Sequence, residues 1–170
     1  MSCSKVLAAI AALSLALGLA GCFQPLYSES AHPGLVEDLR AIEVAPIPNR
    51  IGHYLANDLV TDLNGTGQSA PPKYRLTVTV TVGTGTPTVN SELNVATSAT
   101  LTGEAIYTLN QVDGGAVVLK GNASAAAAYD RTQDRYADLR AQRDAEIRLA
   151  RALSSEISLR LASALAGKTS

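Results

Sequence analysis

Few side chains in this sequence have the chemistry for covalent or acid–base catalysis. The 170 residues include 2 cysteines, Cys3 and Cys22, and 2 histidines, His32 and His53. Cysteine can act as a nucleophile or a metal ligand, and histidine can transfer protons near neutral pH. Neither histidine has a cysteine partner, and the sequence contains no G-x-S-x-G nucleophile motif. We therefore expect no enzyme activity, no metal site and no cofactor, and Cys22 is the residue whose position needs an explanation.

The residues before Cys22 have the organisation of an export signal. Residues 6–20 form an apolar run of 15 residues (VLAAIAALSLALGLA), and Lys5 with the amino terminus forms a short positive head before it. A transmembrane helix normally needs about 20 apolar residues. A positive head, a shorter apolar segment and a small-residue exit are typical of a secretory signal peptide. We predict that residues 1–21 are such a signal.

The end of this region, LAGC (19–22), resembles the lipobox of bacterial lipoproteins. The resemblance implies that the chain is cleaved between Gly21 and Cys22, that the Cys22 thiol receives a diacylglyceryl group and that the freed amine is acylated, for example with palmitate. Each buried CH₂ contributes about 0.8 kcal/mol, so two or more acyl chains form a stable membrane anchor. Cys3 would leave with the signal, so no thiol would remain for a disulfide. Phe23 is not the aspartate that favours retention in the inner membrane, and we expect anchoring in the outer membrane, on its periplasmic side.

The remaining chain has the length of one domain and little net charge. Cleavage would leave 149 residues, in which acidic side chains slightly outnumber basic ones. We therefore expect a single domain and no general attraction to nucleic acid. Residues 22–38 contain two prolines and little periodicity, and we predict that they are a lipidated tether. We predict a single α+β domain over residues 39–166 and a tail over 167–170.

Two segments have the apolar spacing of amphipathic helices. In residues 49–65, Leu55 and Leu59 belong to an apolar stripe, with Asn49 as the expected cap and Gly65 as the expected end. Residues 134–166 carry a second stripe, formed by Tyr136, Leu139, Ile147, Ala150, Leu153, Ile157, Leu161 and Ala164. The second helix would run about 50 Å if unbroken, so we expect part of it to protrude or kink. The residues expected in the core are Leu55, Leu59, Ile157 and Leu161.

Alternating residues predict strands between the two helices. The predicted strands span 39–48, 74–82, 92–109 and 116–130, with a hairpin turn in between at 110–115. Small hydroxyl residues occupy one face of the second and third strands: Thr77, Thr79, Thr81, Thr100 and Thr102. A solvated sheet face usually carries lysine and glutamate, so we expect a partner protein to cover this face. Ordinary exposed threonine is the alternative.

The order of these elements predicts the fold class. A strand, a helix, three strands and a final helix are typical of an α+β two-layer sandwich, in which helices cover one face of a sheet. We predict a mostly antiparallel four-stranded sheet with two helices on one face. The other sheet face, with its threonine residues, would be free for contacts.

The chain resembles the LPS-assembly lipoprotein LptE family of Gram-negative outer membranes. The sequence GCFQPLY (21–27) is similar to the G-C-G-F-x-P-L-Y start of alphaproteobacterial members, with one glycine missing. Residues 49–64 resemble the first helix of the family, and residues 129–161 resemble the end of its last strand and its final helix. These places together span nearly the whole mature chain as scattered positions.

The resemblance implies a non-enzymatic role. Members of this family lie as a plug inside a large outer-membrane β-barrel, support assembly of that barrel and take part in delivery of lipopolysaccharide to the outer leaflet. They are also proposed to contact lipopolysaccharide through basic residues in loops. In the sheet region of this chain, Lys73, Arg75 and Lys120 could make such a contact. The alternative function is an auxiliary lipoprotein subunit of an ABC-type lipid-transport complex of the envelope.

Overall fold

The computed structural model describes residues 34–65, 70–86, 89–90 and 95–167. The helices and strands in these ranges are, in chain order, α1 (Leu35–Arg40), β1 (Ile42–Val44), α2 (Asn49–Asn64), β2 (Tyr74–Gly85), β3 (Val89–Asn90), β4 (Val95–Ala96), β5 (Ser98–Gln111), β6 (Val117–Asp130) and α3 (Arg135–Ala166). Within the same ranges, no helix combines the length and the apolar character needed to cross a membrane.

Four strands form the main sheet, in the order β1, β2, β5, β6. β1 runs parallel to β2, whereas β5 is antiparallel to both of its neighbours. The predicted hairpin turn between β5 and β6 is confirmed, and Gly114 and Gly115 adopt positive φ angles of 87° and 66° there, which glycine tolerates without steric cost. β3 and β4 form a separate two-stranded pair.

The core lies between α2 and α3 on one side and the sheet on the other. The strands turn alternate side chains toward the helices, including Leu76, Leu101, Tyr107 and Leu109. The four residues predicted as core, Leu55, Leu59, Ile157 and Leu161, are each 0% exposed. The predicted α+β class, with two helices on one face of a mostly antiparallel four-stranded sheet, is confirmed.

The helix α3 approaches the sheet closely because the strands beneath it carry small residues. A Cβ added at Gly103 would lie 3.2 Å from side-chain carbons of both Leu149 and Leu153. A Cβ added at Gly121 would lie 2.6 Å from the hydroxyl oxygen of Tyr107, which is buried beside it. Both glycines therefore provide room for neighbouring side chains rather than conformational freedom.

The chain enters this domain through a helix that the sequence pattern did not reveal. α1 follows Gly34, whose φ of 86° is left-handed, and it buries Leu35 and Leu39 in the core. The strand predicted over 39–48 is wrong for its first residues, which belong to α1, and β1 has only three residues. The predicted boundary between tether and domain, after residue 38, falls inside α1. Residues 1–33 lie outside the described ranges.

One predicted strand is divided in the structure. The alternation over residues 92–109 predicted a single strand, but β5 begins at Ser98, and β4 pairs with β3 in the small separate sheet. The prediction was wrong because the alternation continues unbroken through Thr97, so no residue in the pattern marks the division. The start of that segment, residues 92–94, lies outside the described ranges.

The helix ends follow the sequence prediction with one exception. Gly65 ends α2, as expected, and α3 ends at Ala166, immediately before the predicted tail. The Asp134 carboxylate caps α3 by accepting hydrogen bonds from the backbone N–H groups of Tyr136 and Ala137, at 2.8 and 3.2 Å. Asn49 was predicted to cap α2, but it is the first helical residue, with a φ of 72°, and makes no capping hydrogen bond.

α3 is continuous over 32 residues, and its first turns protrude past the sheet. Arg148 donates a hydrogen bond to the carbonyl oxygen of Ala128, two residues before β6 ends. The 13 residues of α3 before Arg148 extend about 20 Å, whereas two strand residues extend only about 7 Å. Tyr136 and Leu139, which were predicted on the core stripe, are consequently 71% and 54% exposed. The predicted protrusion is confirmed, and the predicted burial of these two residues is wrong.

Candidate functional site

The candidate site is the sheet surface that faces away from α2 and α3, which we call the outer face. Its rows follow from the strand register: Thr77, Thr79 and Thr81 of β2 lie beside Thr108, Ile106 and Glu104 of β5. Farther along β5, Thr102 and Thr100 pair across with Ala126 and Ala128 of β6. The outer face therefore brings together all five predicted contact residues: Thr77, Thr79, Thr81, Thr100 and Thr102.

The residues of the outer face are open to solvent in this chain. Thr77, Thr79, Thr81 and Thr102 are exposed and Thr100 is half-buried. Ile106 lies among them with 53% of its surface exposed, a large apolar side chain that no other described residue covers. β-branched side chains on a pleated surface lose little conformational freedom when they are covered, because their χ1 angles are already restricted. The outer face can thus act as a preformed contact surface.

The outer face carries one central charge that the sequence pattern did not emphasise. Glu104 is exposed and lies between Thr81 of β2 and Ser124 of β6. Other charged residues lie toward the ends of the strands. Arg75 donates two hydrogen bonds to Glu43 at one end, at 3.0 and 3.1 Å, and Lys120 pairs across with Thr108 nearby, whereas Asp130 pairs across with Ser98 at the opposite end. Low charge is therefore a property of the threonine rows and not of the whole face.

The three basic residues considered for a lipopolysaccharide contact do not form a free cationic cluster. Lys73 donates to the Asp38 carboxylate at 2.8 Å, and this hydrogen bond raises the pKa of Lys73. Arg75 is bound to Glu43. Within the described ranges, only Lys120 among the three has no carboxylate partner. Two of the three cations are thus already neutralised by neighbouring acids.

A bidentate ion pair that was not predicted connects α2 to α3. Arg50 donates to both carboxylate oxygens of Glu146, at 2.6 and 2.8 Å, and Glu146 is only 8% exposed. The hydrogen bond and the charge of Glu146 raise the pKa of Arg50. A second link between these helices joins the Ser154 hydroxyl to the Asp62 carboxylate at 2.7 Å. The partners are more than ninety residues apart in sequence, so no local pattern could have revealed them.

His53 is the one histidine of the described ranges, and three acids at or near the start of α3 have structural roles. His53 is exposed and lies 3.3 Å from the side-chain amide of Asn57 on the same helix face. Asp134 caps α3, and Asp138 lies 3.7 Å from Arg131. Asp144 and Arg148, four residues apart on α3, form an ion pair at 2.8 Å. In these ranges, no cluster of three or more histidine, cysteine, aspartate or glutamate residues could hold a metal ion.

The predicted lipidation and cleavage residues, Cys22 and Gly21, lie outside the described ranges, so their roles remain predictions. Gly34 is the first described residue, and α1 follows it directly. Cys22 precedes Gly34 by twelve positions. A fully extended chain of this length spans about 40 Å.

Comparison with known proteins places this fold among bacterial lipoproteins. No protein-family model and no curated protein matches the chain. The crystal structure of a predicted lipoprotein from Caulobacter crescentus CB15 superposes with a TM-score of 0.65 at 28% identity, and the match covers 79% of this chain and 97% of that one. A minor lipoprotein from Acinetobacter baumannii matches with a TM-score of 0.53 at 12% identity, covering 73% of this chain and 92% of that one.

These neighbours support a lipoprotein in general. The Caulobacter protein shares the fold over almost its whole length, and the Acinetobacter protein, at its lower identity, shows the fold alone. Neither name refers to lipopolysaccharide or to a barrel. The fold is therefore that of solved lipoproteins.

Proposed function

We propose that this protein is an outer-membrane lipoprotein that plugs the LPS-translocating β-barrel and supports its assembly. In this role it takes part in lipopolysaccharide transport and in assembly of the outer membrane. The lipid on Cys22 anchors the domain at the periplasmic side of that membrane. Support comes from the lipobox-like sequence at residues 19–22, from the lipoprotein fold of the structural neighbours and from the resemblance to the LptE family.

The observation that carries the proposal is the bare outer face. The helices cover one side of the sheet only, and the other side presents rows of threonine with Ile106 exposed among them. A plug needs a rigid surface that loses little hydration energy when the barrel wall covers it. Hydroxyl groups can exchange water for donors and acceptors of the wall, whereas a lysine or glutamate would have to be paired or lose its hydration.

Glu104 constrains how the barrel meets this face. Its exposed carboxylate lies beside Thr81 near the middle of the face. Burying it without a partner would be costly, so the barrel must offer a cation or hydrogen-bond donors at this point, or leave a water-filled space there. In the sheet region, Lys120 would make most of any direct contact with lipopolysaccharide, because Lys73 and Arg75 are paired with acids.

The test is co-purification of an outer-membrane barrel with tagged wild-type protein and with Thr79→Arg. Thr79 is exposed in the middle of β2, so an arginine there is solvated in the isolated domain and is desolvated only when a partner covers the face. Thr100→Arg tests the same face on β5. Ser155→Arg is the matched control, because Ser155 is exposed on α3, away from the sheet.

We expect all three variants to melt close to the wild-type temperature. Thr79→Arg and Thr100→Arg should recover much less of the barrel, which mass spectrometry identifies, whereas Ser155→Arg should recover it fully. If the wild type brings down transporter or substrate-binding subunits of an ABC-type complex and no barrel, the auxiliary-lipoprotein function replaces this proposal.

A further inference from the structure

The two edges of the main sheet differ in how far their outward backbone groups are bound by other described residues. β6 forms one edge, and side chains of α3 bind its outward-facing backbone groups. The Ser124 N–H donates to the Glu156 carboxylate at 3.2 Å, and Arg160 donates to the carbonyl oxygen of Asn122. Together with the bond from Arg148 further along, these contacts protect the edge. Protection of this kind prevents unwanted strand pairing.

The opposite edge is protected only at its beginning. β1 pairs with β2 over three residues, and the last bond runs from the Ala45 N–H to the carbonyl oxygen of Leu76 at 2.9 Å. The N–H and C=O groups of Leu76 point away from β5. Because these groups alternate in direction along a strand, those of the following even-numbered residues also point away from β5. From Val78 to Thr84, these outward N–H and C=O groups have no hydrogen-bond partner among the described residues. We call this stretch the free edge.

The sequence of the free edge contains none of the usual protective residues. Between Leu76 and Gly85 the strand has no charged residue and no proline. Valine and threonine dominate, and both favour extended pairing. Natural proteins usually place lysine, proline or a bulge on a long exposed edge strand, so an unprotected edge beside a protected one indicates a strand-binding site.

A concavity beside the free edge adds a second element of recognition. Its volume is about 190 Å³, and it is lined by Asn49, Arg50, Ile51, Val82 and Glu146 on the helix side of the sheet. A strand added next to β2 would direct alternate side chains to that side. Ile51 and Val82 form an apolar wall, so one apolar side chain of the added strand can occupy the space. Strand addition commonly derives affinity from backbone bonds and specificity from such side-chain pockets.

We propose that the free edge accepts an extended segment of the partner barrel protein as an added β-strand, with one apolar side chain in the concavity next to Val82. This inference rests on the proposed function and states how the partner is held. Pairing of two copies through this edge alone would join only about seven residues on each side, well short of the roughly 1,200 Å² that a stable dimer buries. A barrel protein can bind the edge and the adjoining outer face at the same time.

The test compares Val82→Pro with Val82→Ala in the barrel co-purification. The Val82 N–H lies on the free edge, so proline removes one donor for the added strand and leaves the bonds between β2 and β5 in place. Alanine also loses the two methyl groups of the valine side chain, but it keeps the backbone N–H donor. We expect Val82→Ala to recover somewhat less barrel than the wild type, because it removes part of the apolar wall of the concavity. Val82→Pro should recover about ten-fold less than Val82→Ala, with both variants folded by circular dichroism.

Hydrogen exchange provides a readout that does not depend on the proline variant folding. In the free wild-type protein, the amides of Val80, Val82 and Thr84 should exchange fast, and those of Thr79 and Thr81 slowly, because the latter are bonded to β5. In the complex, the three edge amides should slow by about ten-fold or more. Unchanged exchange at the edge in a complex that does form would overturn strand addition.

The outcomes separate this inference from the proposed function. Recovery of no barrel by the wild type would refute both. Equal recovery by Val82→Pro and the wild type would refute the strand addition alone. A concentration-dependent dimer of the isolated protein that Val82→Pro abolishes would assign the free edge to a second copy of this chain and would also overturn the proposal.

Discussion

Replacing Leu59 with alanine tests whether the leucine stripe of α2 holds this helix on the sheet. The Leu59 side chain is 0% exposed, and truncation to alanine removes carbon atoms that each contribute about 0.8 kcal/mol when buried. Three such groups give about 2.4 kcal/mol, and the cavity that remains raises the expected loss to about 2.5–5 kcal/mol. A domain of this size has only about 5–15 kcal/mol of stability in total.

The assay is thermal and urea unfolding of the unlipidated domain, with Val60→Ala as the control. Val60 is the next residue of α2 and is 43% exposed, so its truncation should change stability by about 0.5 kcal/mol or less. For a domain of roughly 130 residues, an unfolding entropy near 2.1 cal/mol/K per residue converts the loss at Leu59 into a fall in Tm of about 9–18 °C. If Leu59→Ala and Val60→Ala melt within about 2 °C of each other, Leu59 is not in the core.

Two further predictions concern the anchor and a partly buried acid. Cys22→Ser should accumulate as an unlipidated precursor that does not incorporate labelled fatty acid, and labelling together with outer-membrane fractionation of the variant would contradict the lipobox. Burial raises the pKa of the Asp58 carboxyl above its ordinary 3.8, although Arg151 nearby opposes the shift. The folded state therefore binds this proton more tightly than the unfolded chain, so stability from this group is full below pH 3.8 and is lost as the pH rises through the raised pKa. Asp58→Asn should thus raise Tm at pH 7 and have little effect at pH 3, and a lower Tm at pH 7 would refute this argument.

The element types could be predicted where the apolar pattern repeats several times along the sequence. β2 alternates from Tyr74 to Val82, and the stripe of Leu55, Leu59 and Leu63 repeats every four residues. Both elements were therefore predicted, although β2 continues three residues further, to Gly85. α1 was missed because its two buried leucines, Leu35 and Leu39, form a single repeat, which also fits an irregular segment. Short elements whose stability comes from tertiary contacts carry too little local signal.

Positions across the fold were harder to predict than elements within it. The apolar spacing in α3 places Tyr136 on the same side of the helix as Ile157. Tyr136 is exposed and Ile157 is buried because the sheet does not extend beneath the start of the helix. The outer face could be expected from its threonine residues, because alternation in a strand fixes the side on which each residue lies. The free edge was not predicted, because it depends on β1 ending at Val44, whereas the predicted strand ran on to residue 48.

The links between α2 and α3 determine when the fold can be completed, because they join segments that are far apart in the sequence. Arg50 binds Glu146 and Asp62 binds Ser154 across sequence separations of 96 and 92 residues. In the export that the proposed lipoprotein function requires, α2 would reach the periplasm long before α3, the helix it packs on. Its leucine face would stay in contact with water until the residues of α3 had followed. We therefore expect the translocating chain to need a holding chaperone, and any chain that ends before α3 to be degraded rather than delivered.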